Sequence, residues 1–193
     1  TSRRTIGMNS TALRSAYREL STERLILRPP RAQDAPAIFE AFASDPEVTR
    51  FLRWRPHCTL ADSDRAMAVR LQKLETGEEL SWLLSLRTDG SVLGIISAWP
   101  GEAEVEIGFA LGRRSWGQGL MTEAVRSVVA WAFEPAPVIR VWATCDVENL
   151  ASARVLEKAG LQREGLLKAH TIHPNISPDP RDCLLYSKTR TVS

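Results

Sequence analysis

A short turn with two glycines is the segment of this sequence best suited to binding an anion. It runs from Arg114 to Gly119, between the strand-like Val105–Leu111 and the helix-like Met121–Phe133. Backbone N–H groups at a helix start have no partner within the helix, and the helix dipole favours negative charge there. Glycine has no side chain to keep a ligand away from the backbone. The segment therefore predicts a phosphate or pyrophosphate site, although it is neither a Walker loop nor G-x-G-x-x-G.

A second helix predicted from the sequence carries polar residues on an otherwise apolar face. Asn149 stands at its start, where asparagine is a favoured N-cap. Ser152 has the spacing that places it on one face with Val155, Leu156 and Ala159. A serine on such a face needs a hydrogen-bond partner, which is either the backbone or a ligand. The spacing leaves both interpretations open.

The cysteines and histidines do not form a metal-binding pattern. They are widely scattered and contain no C-x-x-C: Cys58, Cys145, Cys183, His57, His170 and His173. We therefore expect no metal site. The thiols are typical of reduced, mostly buried cysteines in a cytoplasmic protein.

The composition is that of an ordinary globular protein. The 193 residues are 44% hydrophobic and 25% charged, which suffices for one domain with a substantial core. The net charge is +2, but residues 1–22 carry +3, so the rest of the chain sums to −1. This balance argues against nucleic-acid binding, and no apolar run approaches the ~20 residues of a membrane span. We interpret residues 1–21 as a flexible N-terminal arm and residues 22–193 as a single domain.

Hydrophobic period and turn residues predict the elements that position these groups. The predicted helices are Asp34–Ala43, Leu60–Thr76, Met121–Phe133 and Asn149–Ala159. The predicted strands are Arg24–Arg28, Leu80–Leu86, Leu93–Trp99, Glu104–Leu111, Val138–Cys145, Leu161–Arg163 and Cys183–Lys188, with a proline-rich loop at 170–180 before the last one. This order predicts a mixed sheet with helices packed on it.

Several motifs in series resemble the GCN5-related N-acetyltransferase (GNAT) superfamily. They include Arg114-x-x-Gly117-x-Gly119 and the helix that begins at Asn149 and ends at Gly160. Finer features are similar to its Rim-type branch, the ribosomal-protein N-terminal acetyltransferases and their relatives. These features are Glu106-Ile107-Gly108-Phe109, the run from Trp116 to Ala124, Glu164-Gly165 and Asp182-x-x-x-Tyr186. The resemblance covers residues 22–189 in the right order.

The resemblance implies the GNAT fold, an α+β fold with a mixed, mostly antiparallel central sheet. The sheet is expected to have about six or seven strands, to be splayed in the middle and to be flanked by about four helices. Acetyl-CoA is the implied co-substrate, with pantetheine pairing to a splayed strand and the pyrophosphate bound by the amides of the turn. The residues expected to bind it are Phe109, Leu111, Arg114, Trp116, Gly117, Gln118, Gly119, Leu120, Met121, Asn149 and Ser152.

The implied reaction is direct transfer of an acetyl group to a primary amine, which has to lose a proton to a general base. Glu104 and Glu106 project to the same face of their strand. Glu106, in the Glu-Ile-Gly motif, is the favoured base or water-holder, unless it is a solvated acid at an exposed strand end. Ser152 is the favoured acid for the leaving thiolate.

The segment after Glu164-Gly165 departs from the ribosomal-protein-modifying relatives. Those proteins use a carboxylate there, whereas this chain has no acid between Glu164 and Asp179. His170 is a further catalytic candidate because histidine titrates near neutrality, unless it is a surface residue. The departure puts a ribosomal-protein substrate in doubt.

The expected acceptor is a protein N-terminus or a small-molecule amine. Three arginines alternate with aromatic residues between Arg50 and His57, in a segment that overhangs the acceptor groove in this fold. They either bind a carboxylate-bearing acceptor or belong to a surface loop pinned by its aromatics. We expect no nucleic-acid or membrane partner, and a homodimer is an open alternative. A non-catalytic acyl-CoA-binding sensor or interaction module of the same fold also stays open.

Overall fold

One eight-stranded sheet forms the centre of the protein in a computed structural model that describes residues 8–134 and 138–190. The strands are β1 (Leu20–Ser21), β2 (Leu25–Arg28), β3 (Leu80–Leu86), β4 (Val92–Pro100), β5 (Glu104–Leu111), β6 (Arg140–Asp146), β7 (Gln162–Ile172) and β8 (Pro180–Thr189). Their spatial order is β1-β2-β3-β4-β5-β6-β8-β7. All neighbouring pairs are antiparallel except β5 and β6. The predicted α+β class is confirmed, and the edge strand β1 makes the sheet slightly larger than expected.

Six α-helices lie in the described part of the chain. They are α1 (Met8–Ala16), α2 (Ala35–Ile38), α3 (Pro46–Thr49), α4 (Leu60–Thr76), α5 (Leu120–Ala132) and α6 (Leu150–Lys158). A π-helical turn extends α2 to Ala43. The long helix α4 begins at a capping box between Thr59 and Asp62, and it ends where Gly77 adopts a left-handed φ of 75°. None of the described helices is both long and apolar enough to cross a bilayer.

Helices cover both faces of the sheet, so apolar residues alternate between two cores. Leu83 and Ile95 pack against α2 and α4, and we call this side the α4 face. Their neighbours Trp82 and Ile96 pack on the opposite side with α1, α5 and α6, which we call the α5 face. The alternation of strand side chains places Glu106 on the α4 face, two residues from Gly108.

The strands β5 and β6 run parallel but stay paired only at their beginning. Three residues of each strand pair, starting at Glu104 with Arg140 and ending at Glu106 with Trp142. Beyond that point β5 stays paired with β4, and β6 stays paired with β8. The two strands therefore part in the middle of the sheet, and the edge of β5 that faced β6 is left without a strand neighbour.

Part of the N-terminal segment that the sequence suggested to be a flexible arm carries regular secondary structure. Residues 8–21 contain α1 and β1. The indole N–H groups of Trp82 and Trp131 donate to the backbone carbonyls of Arg18 and Ala16 at 2.7 and 2.9 Å. Buried indole groups need such partners, and this need fixes the segment over the α5 face. Residues 1–7 of the expected arm, and residues 191–193 of the expected domain, lie outside the described range.

Strand β7 is much longer than the strand predicted near Leu161–Arg163. It continues to Ile172, with an irregularity in its pairing to β8 between Leu167 and Thr171. Ala169 has a φ of 46° in this bulge, and its N–H donates to the carboxylate of Asp182 at 2.9 Å. The bulge breaks the alternation of side chains along the strand. The two-residue period of the sequence therefore predicts the wrong face of the sheet for the residues that follow.

Candidate active site

A cavity of about 670 Å³ lies where β5 and β6 part, and it extends beneath α4 on the α4 face. Side chains from both sides of the gap, on β4 and β5 and on β6 and β8, line it. Near the parting strands these include Phe109, Asn149 and Ser152, and toward α4 they include Arg53, Trp99 and Glu106. A cavity of this size and mixed lining is typical of a small-molecule site.

The glycine turn lies at one end of the gap and is held by its own side chains. A 3-10 turn, Arg113–Ser115, precedes it. Trp116 Nε1 donates to the Leu111 carbonyl at 2.7 Å, and Gln118 Nε2 donates to the Arg114 carbonyl at 3.0 Å. These two bonds fix the shape of the turn. The backbone N–H groups of Ser115 and Trp116 already donate to the carbonyls of Gly112 and Arg113, so the backbone donors left for a ligand begin at Gly117.

The backbone of the turn has the conformation that glycine allows. Gly117 and Gly119 both have a φ of 75°, and a Cβ at Gly117 would meet no atom within 4 Å. Gly119 is the N-cap of α5 and offers no side-chain cap to the first N–H groups of the helix. Leu120 and Met121 bury their side chains in the α5 face, so they can offer a ligand only their backbone. This open, uncapped helix start fits a pyrophosphate.

Asn149 and Ser152 meet at the start of α6, on the other side of the gap. Asn149 Oδ1 accepts a hydrogen bond from the backbone N–H of Ser152 at 3.1 Å, so Asn149 is the N-cap of the helix. This bond uses Oδ1 and leaves the Nδ2 donors for a ligand. The Ser152 hydroxyl faces the same cavity.

Glu106 lies between the part of the cavity near the parting strands and the part beneath α4. Its side chain is 20% exposed, and Oε1 accepts a hydrogen bond from Arg53 Nη2 at 3.0 Å. Glu104, two residues earlier, instead pairs with Arg140 at 3.0 Å and does not line the cavity. The two carboxylates share a face of β5, as the sequence predicted, but only Glu106 reaches the cavity.

A buried carboxylate forms the far wall of the cavity beneath α4. Glu79 accepts hydrogen bonds from Arg70, Ser81 and Ser97. Burial by itself would raise the pKa of Glu79, but the charge of Arg70 and these hydrogen bonds outweigh it and hold the pKa below its usual value. Glu79 is therefore a charged, fully paired group at neutral pH.

Two histidines also line the cavity. His173 is buried, with Nε2 3.7 Å from the Asp146 carboxylate, and Asp146 is itself held by Arg181 at 2.6 Å. His57 is half-buried, and its Nδ1 lies 2.7 Å from the hydroxyl of Ser63. Burial lowers the pKa of both histidines, so both imidazoles are neutral at pH 7.

Four of the predicted site residues line this cavity, namely Glu106, Phe109, Asn149 and Ser152. The turn residues and Leu111 adjoin the gap outside the cavity. His170 is different, because it lies in the β7 bulge with an exposed side chain and does not line the cavity. The bulge turns His170 outward and brings Thr171 to the cavity wall instead.

Sequence reasoning did not identify Glu79 or His173 as members of the site. Glu79 precedes a strand without any motif, and its partners Arg70 and Ser97 are distant in sequence. His173 lies only three residues after His170, but the bulge that reverses their exposure leaves no clear sequence signal.

Two cysteines, Cys145 and Cys183, line the cavity, whereas Tyr186 does not. Burial raises the pKa of Cys145 to about 12 and also raises the pKa of Cys183, so both thiols stay protonated at neutral pH. Burial likewise raises the pKa of Tyr186 to about 12, and its hydroxyl donates to Glu157 at 2.9 Å instead of lining the cavity.

Known proteins resemble this chain in sequence and in fold. The family described as "Acetyltransferase (GNAT) domain" matches residues 24–162. The uncharacterized N-acetyltransferase p20 of Bacillus licheniformis is 32% identical over 155 residues, which cover 77% of this chain and 85% of the relative.

Solved structures share the fold over nearly the whole chain. An acetyltransferase of the GNAT family from Bacillus anthracis has a TM-score of 0.76 and 25% identity, covering 89% of this chain and 98% of its own. RimL, a ribosomal L7/L12 α-N-protein acetyltransferase solved with coenzyme A, has a TM-score of 0.76 and 19% identity, covering 87% and 95%. The family match, the identity to p20 and the parted strands agree, and the chain belongs to the GNAT family of N-acetyltransferases.

Proposed function

We propose that this protein transfers an acetyl group from acetyl-CoA directly to a primary amine. The proposal rests on one arrangement of the backbone. The strands β5 and β6 part beside the start of α5, and this helix start follows Gly117 and Gly119 and has no side-chain cap. The free edge of β5 suits the amides of pantetheine, as an added strand would. The helix start suits a pyrophosphate. RimL, which has the same fold, was solved with coenzyme A.

The residues that would hold acetyl-CoA lie along this gap. We assign the pyrophosphate to the backbone N–H groups from Gly117 to Met121, and the pantetheine arm to the β5 edge from Phe109 to Leu111. The Nδ2 group of Asn149 donates to the same arm, because its Oδ1 is already used by the helix cap. Bound there, acetyl-CoA supplies the thioester whose acetyl group is transferred.

Glu106 and Ser152 carry the proton transfers in this proposal. The amine nitrogen bonds to the thioester carbonyl carbon while the C–S bond breaks and leaves its electron pair on sulfur. Glu106 takes the proton that the amine loses and releases it to solvent, and the Ser152 hydroxyl protonates the leaving thiolate and regains a proton from solvent. The protonated thiols of Cys145 and Cys183 favour direct transfer over an acetylated cysteine. His170 has no part, because it does not line the cavity.

Calorimetric titration with acetyl-CoA tests the site. We expect micromolar binding to the wild type and none to Gly117→Glu, because a carboxylate at this open position repels the pyrophosphate and occupies its space. Gly90→Glu is the matched control, since Gly90 also has a positive φ, of 72°, with no atom within 4 Å of a Cβ, but lies in the β3–β4 turn. It carries the same backbone strain and the same added charge.

The outcomes separate the two functions of this fold. Loss of binding in Gly117→Glu alone supports the site, whereas absence of binding by folded wild type contradicts it. Tight acetyl-CoA binding with no acetyl transfer to any amine would favour the non-catalytic sensor.

A further inference from the structure

The part of the cavity beneath α4 has an excess of positive charge. Its charged lining residues are Arg53, Arg65, Arg70 and Lys73, against Glu79 and Glu106. Most of these cations have acidic partners that keep them in place. Arg70 bonds Glu79, Lys73 lies 3.7 Å from the same carboxylate, and Arg65 pairs with Asp62 on its own helix.

Arg53 is a cation of this lining that contacts Glu106, a candidate catalytic residue, and still has unused donors. Its side chain is 56% exposed, and one of its five N–H donors bonds Glu106. An ion pair this exposed contributes little to stability, so a ligand can replace it at small cost. Arg53 and Glu106 thus present a positive and a negative group 3.0 Å apart on the cavity wall.

The backbone that carries Arg53 is held by a residue distant in sequence. Asn175, in the loop after β7, donates through Nδ2 to the carbonyls of Thr49 and Trp54 at 2.7 and 2.8 Å. The two accepting residues, Thr49 and Trp54, lie before and after Arg53 in the sequence. The backbone from which the Arg53 side chain extends is therefore held by the fold, which lowers the cost of ordering it around a small ligand.

We propose that the acceptor is a free amino acid, which enters between Arg53 and Glu106 as a zwitterion. Its carboxylate binds the planar fork of Arg53, and its ammonium group takes the place of Arg53 on Glu106. This exchange of partners places the ammonium group next to Glu106, which removes its proton. It also releases Glu106 from its ion pair with Arg53. The side chain of the acceptor then faces Trp54 and Trp99, which line the same part of the cavity.

This inference rests on the proposed acetyltransferase function and narrows its acceptor. A protein N-terminus lacks the α-carboxylate, because that group is an amide in the chain. The two acceptor classes therefore differ in the one group that Arg53 would bind.

Calorimetry on the CoA-saturated protein tests the proposal without any chemical step. Each probe pair is a proteinogenic amino acid and its amide, for example L-phenylalanine and L-phenylalaninamide, which stands for a peptide terminus. We expect at least one free amino acid to bind at least about tenfold more tightly than its amide, the difference expected from one charge-assisted hydrogen-bond pair. In Arg53→Gln this preference should fall to near unity.

Arg55→Gln is the matched control, because Arg55 is exposed on the same loop and does not line the cavity. It should keep the preference of the wild type. The proposal is overturned if amides bind as tightly as amino acids, if Arg53→Gln keeps the preference, or if no free amino acid binds at millimolar concentration. Acetyl-CoA binding in the same protein then shows whether the acetyltransferase function still stands.

Discussion

At the scale of single residues, Glu106 and Glu104 show how the fold gives two similar carboxylates different roles. Both face the same side of β5, but only Glu106 reaches the cavity, while Glu104 is paired with Arg140 at the start of the gap. The difference arises because the strands part just after Glu106. Position along the gap, rather than residue type, decides which carboxylate can meet a substrate.

Replacing Glu106 by glutamine tests its role as base. We expect Glu106→Gln to lower kcat by about 100-fold, the lower range of a positioned general base, with little change in the KM for acetyl-CoA. CoA release with the acceptor amine gives the rate. Glu104→Gln is the control and should keep kcat near that of the wild type. An unchanged kcat in Glu106→Gln would move the proton transfer to another group.

Asn149 combines two roles that one substitution can separate. Asp at this position keeps an oxygen that accepts the Ser152 N–H but loses the Nδ2 donors, whereas Ala loses both. We expect Asn149→Asp to keep the free energy of unfolding and Asn149→Ala to lose about 1 kcal/mol, the usual contribution of an N-cap.

Both variants should bind acetyl-CoA more weakly than the wild type, as measured by calorimetry beside chemical denaturation. Wild-type affinity in Asn149→Asp would show that Asn149 serves only as a helix cap.

At the scale of elements, the parts of the site that follow local rules could be predicted from the sequence. Helix α4 and strands β3 and β5 have the predicted bounds, because period, caps and turn residues act locally. The parting of β5 from β6 followed only from the family resemblance, since no local pattern marks where two strands separate. Strand β7 was predicted too short, because its exposed residues and its bulge hide the strand period.

The contacts that complete the site join elements far apart in sequence. Arg53 meets Glu106, and Asn175 meets the backbone of Trp54, across separations that no spacing rule covers. The sequence singled out the segment between Arg50 and His57 for its arginines, and whether they bind an acceptor stays a prediction. Which arginine faces the cavity depends on the loop conformation, and only Arg53 among the three does so.

At the scale of the whole molecule, a buried ion pair joins β6 to β8 beside the cavity. Asp146 is fully buried at the end of β6 and accepts two hydrogen bonds from Arg181 of β8. Burial alone would raise the pKa of Asp146, but these bonds outweigh it and hold the pKa below its usual value. The pair also supports His173, whose ring lies beside it.

The depressed pKa gives the stability a defined pH dependence. A carboxylate with a lowered pKa in the folded state contributes fully above its unfolded pKa of about 3.9, and the contribution is lost as pH falls through the folded value. We expect Asp146→Asn to cost about 3–5 kcal/mol at pH 7, because Arg181 loses its buried partner. The difference from wild type should shrink below about pH 4.

Denaturant unfolding at pH 7 and at acidic pH measures this effect. Asp182→Asn is the control, because Asp182 on β8 pairs with Lys168 at 2.7 Å on the surface and should contribute less than about 1 kcal/mol. A cost for Asp146→Asn that does not vary with pH would contradict the electrostatic explanation.

The gap between β5 and β6 joins the two faces of the sheet, and this has a consequence for the order of events in the proposed reaction. The glycine turn opens at the start of α5, whose core lies on the α5 face, whereas Arg53 and Trp99 line the cavity on the α4 face. In the proposed reaction, donor and acceptor would therefore approach the gap from different faces of the sheet. We therefore expect the proposed reaction to have no compulsory first substrate, and we expect one product to be able to depart while the other is still bound.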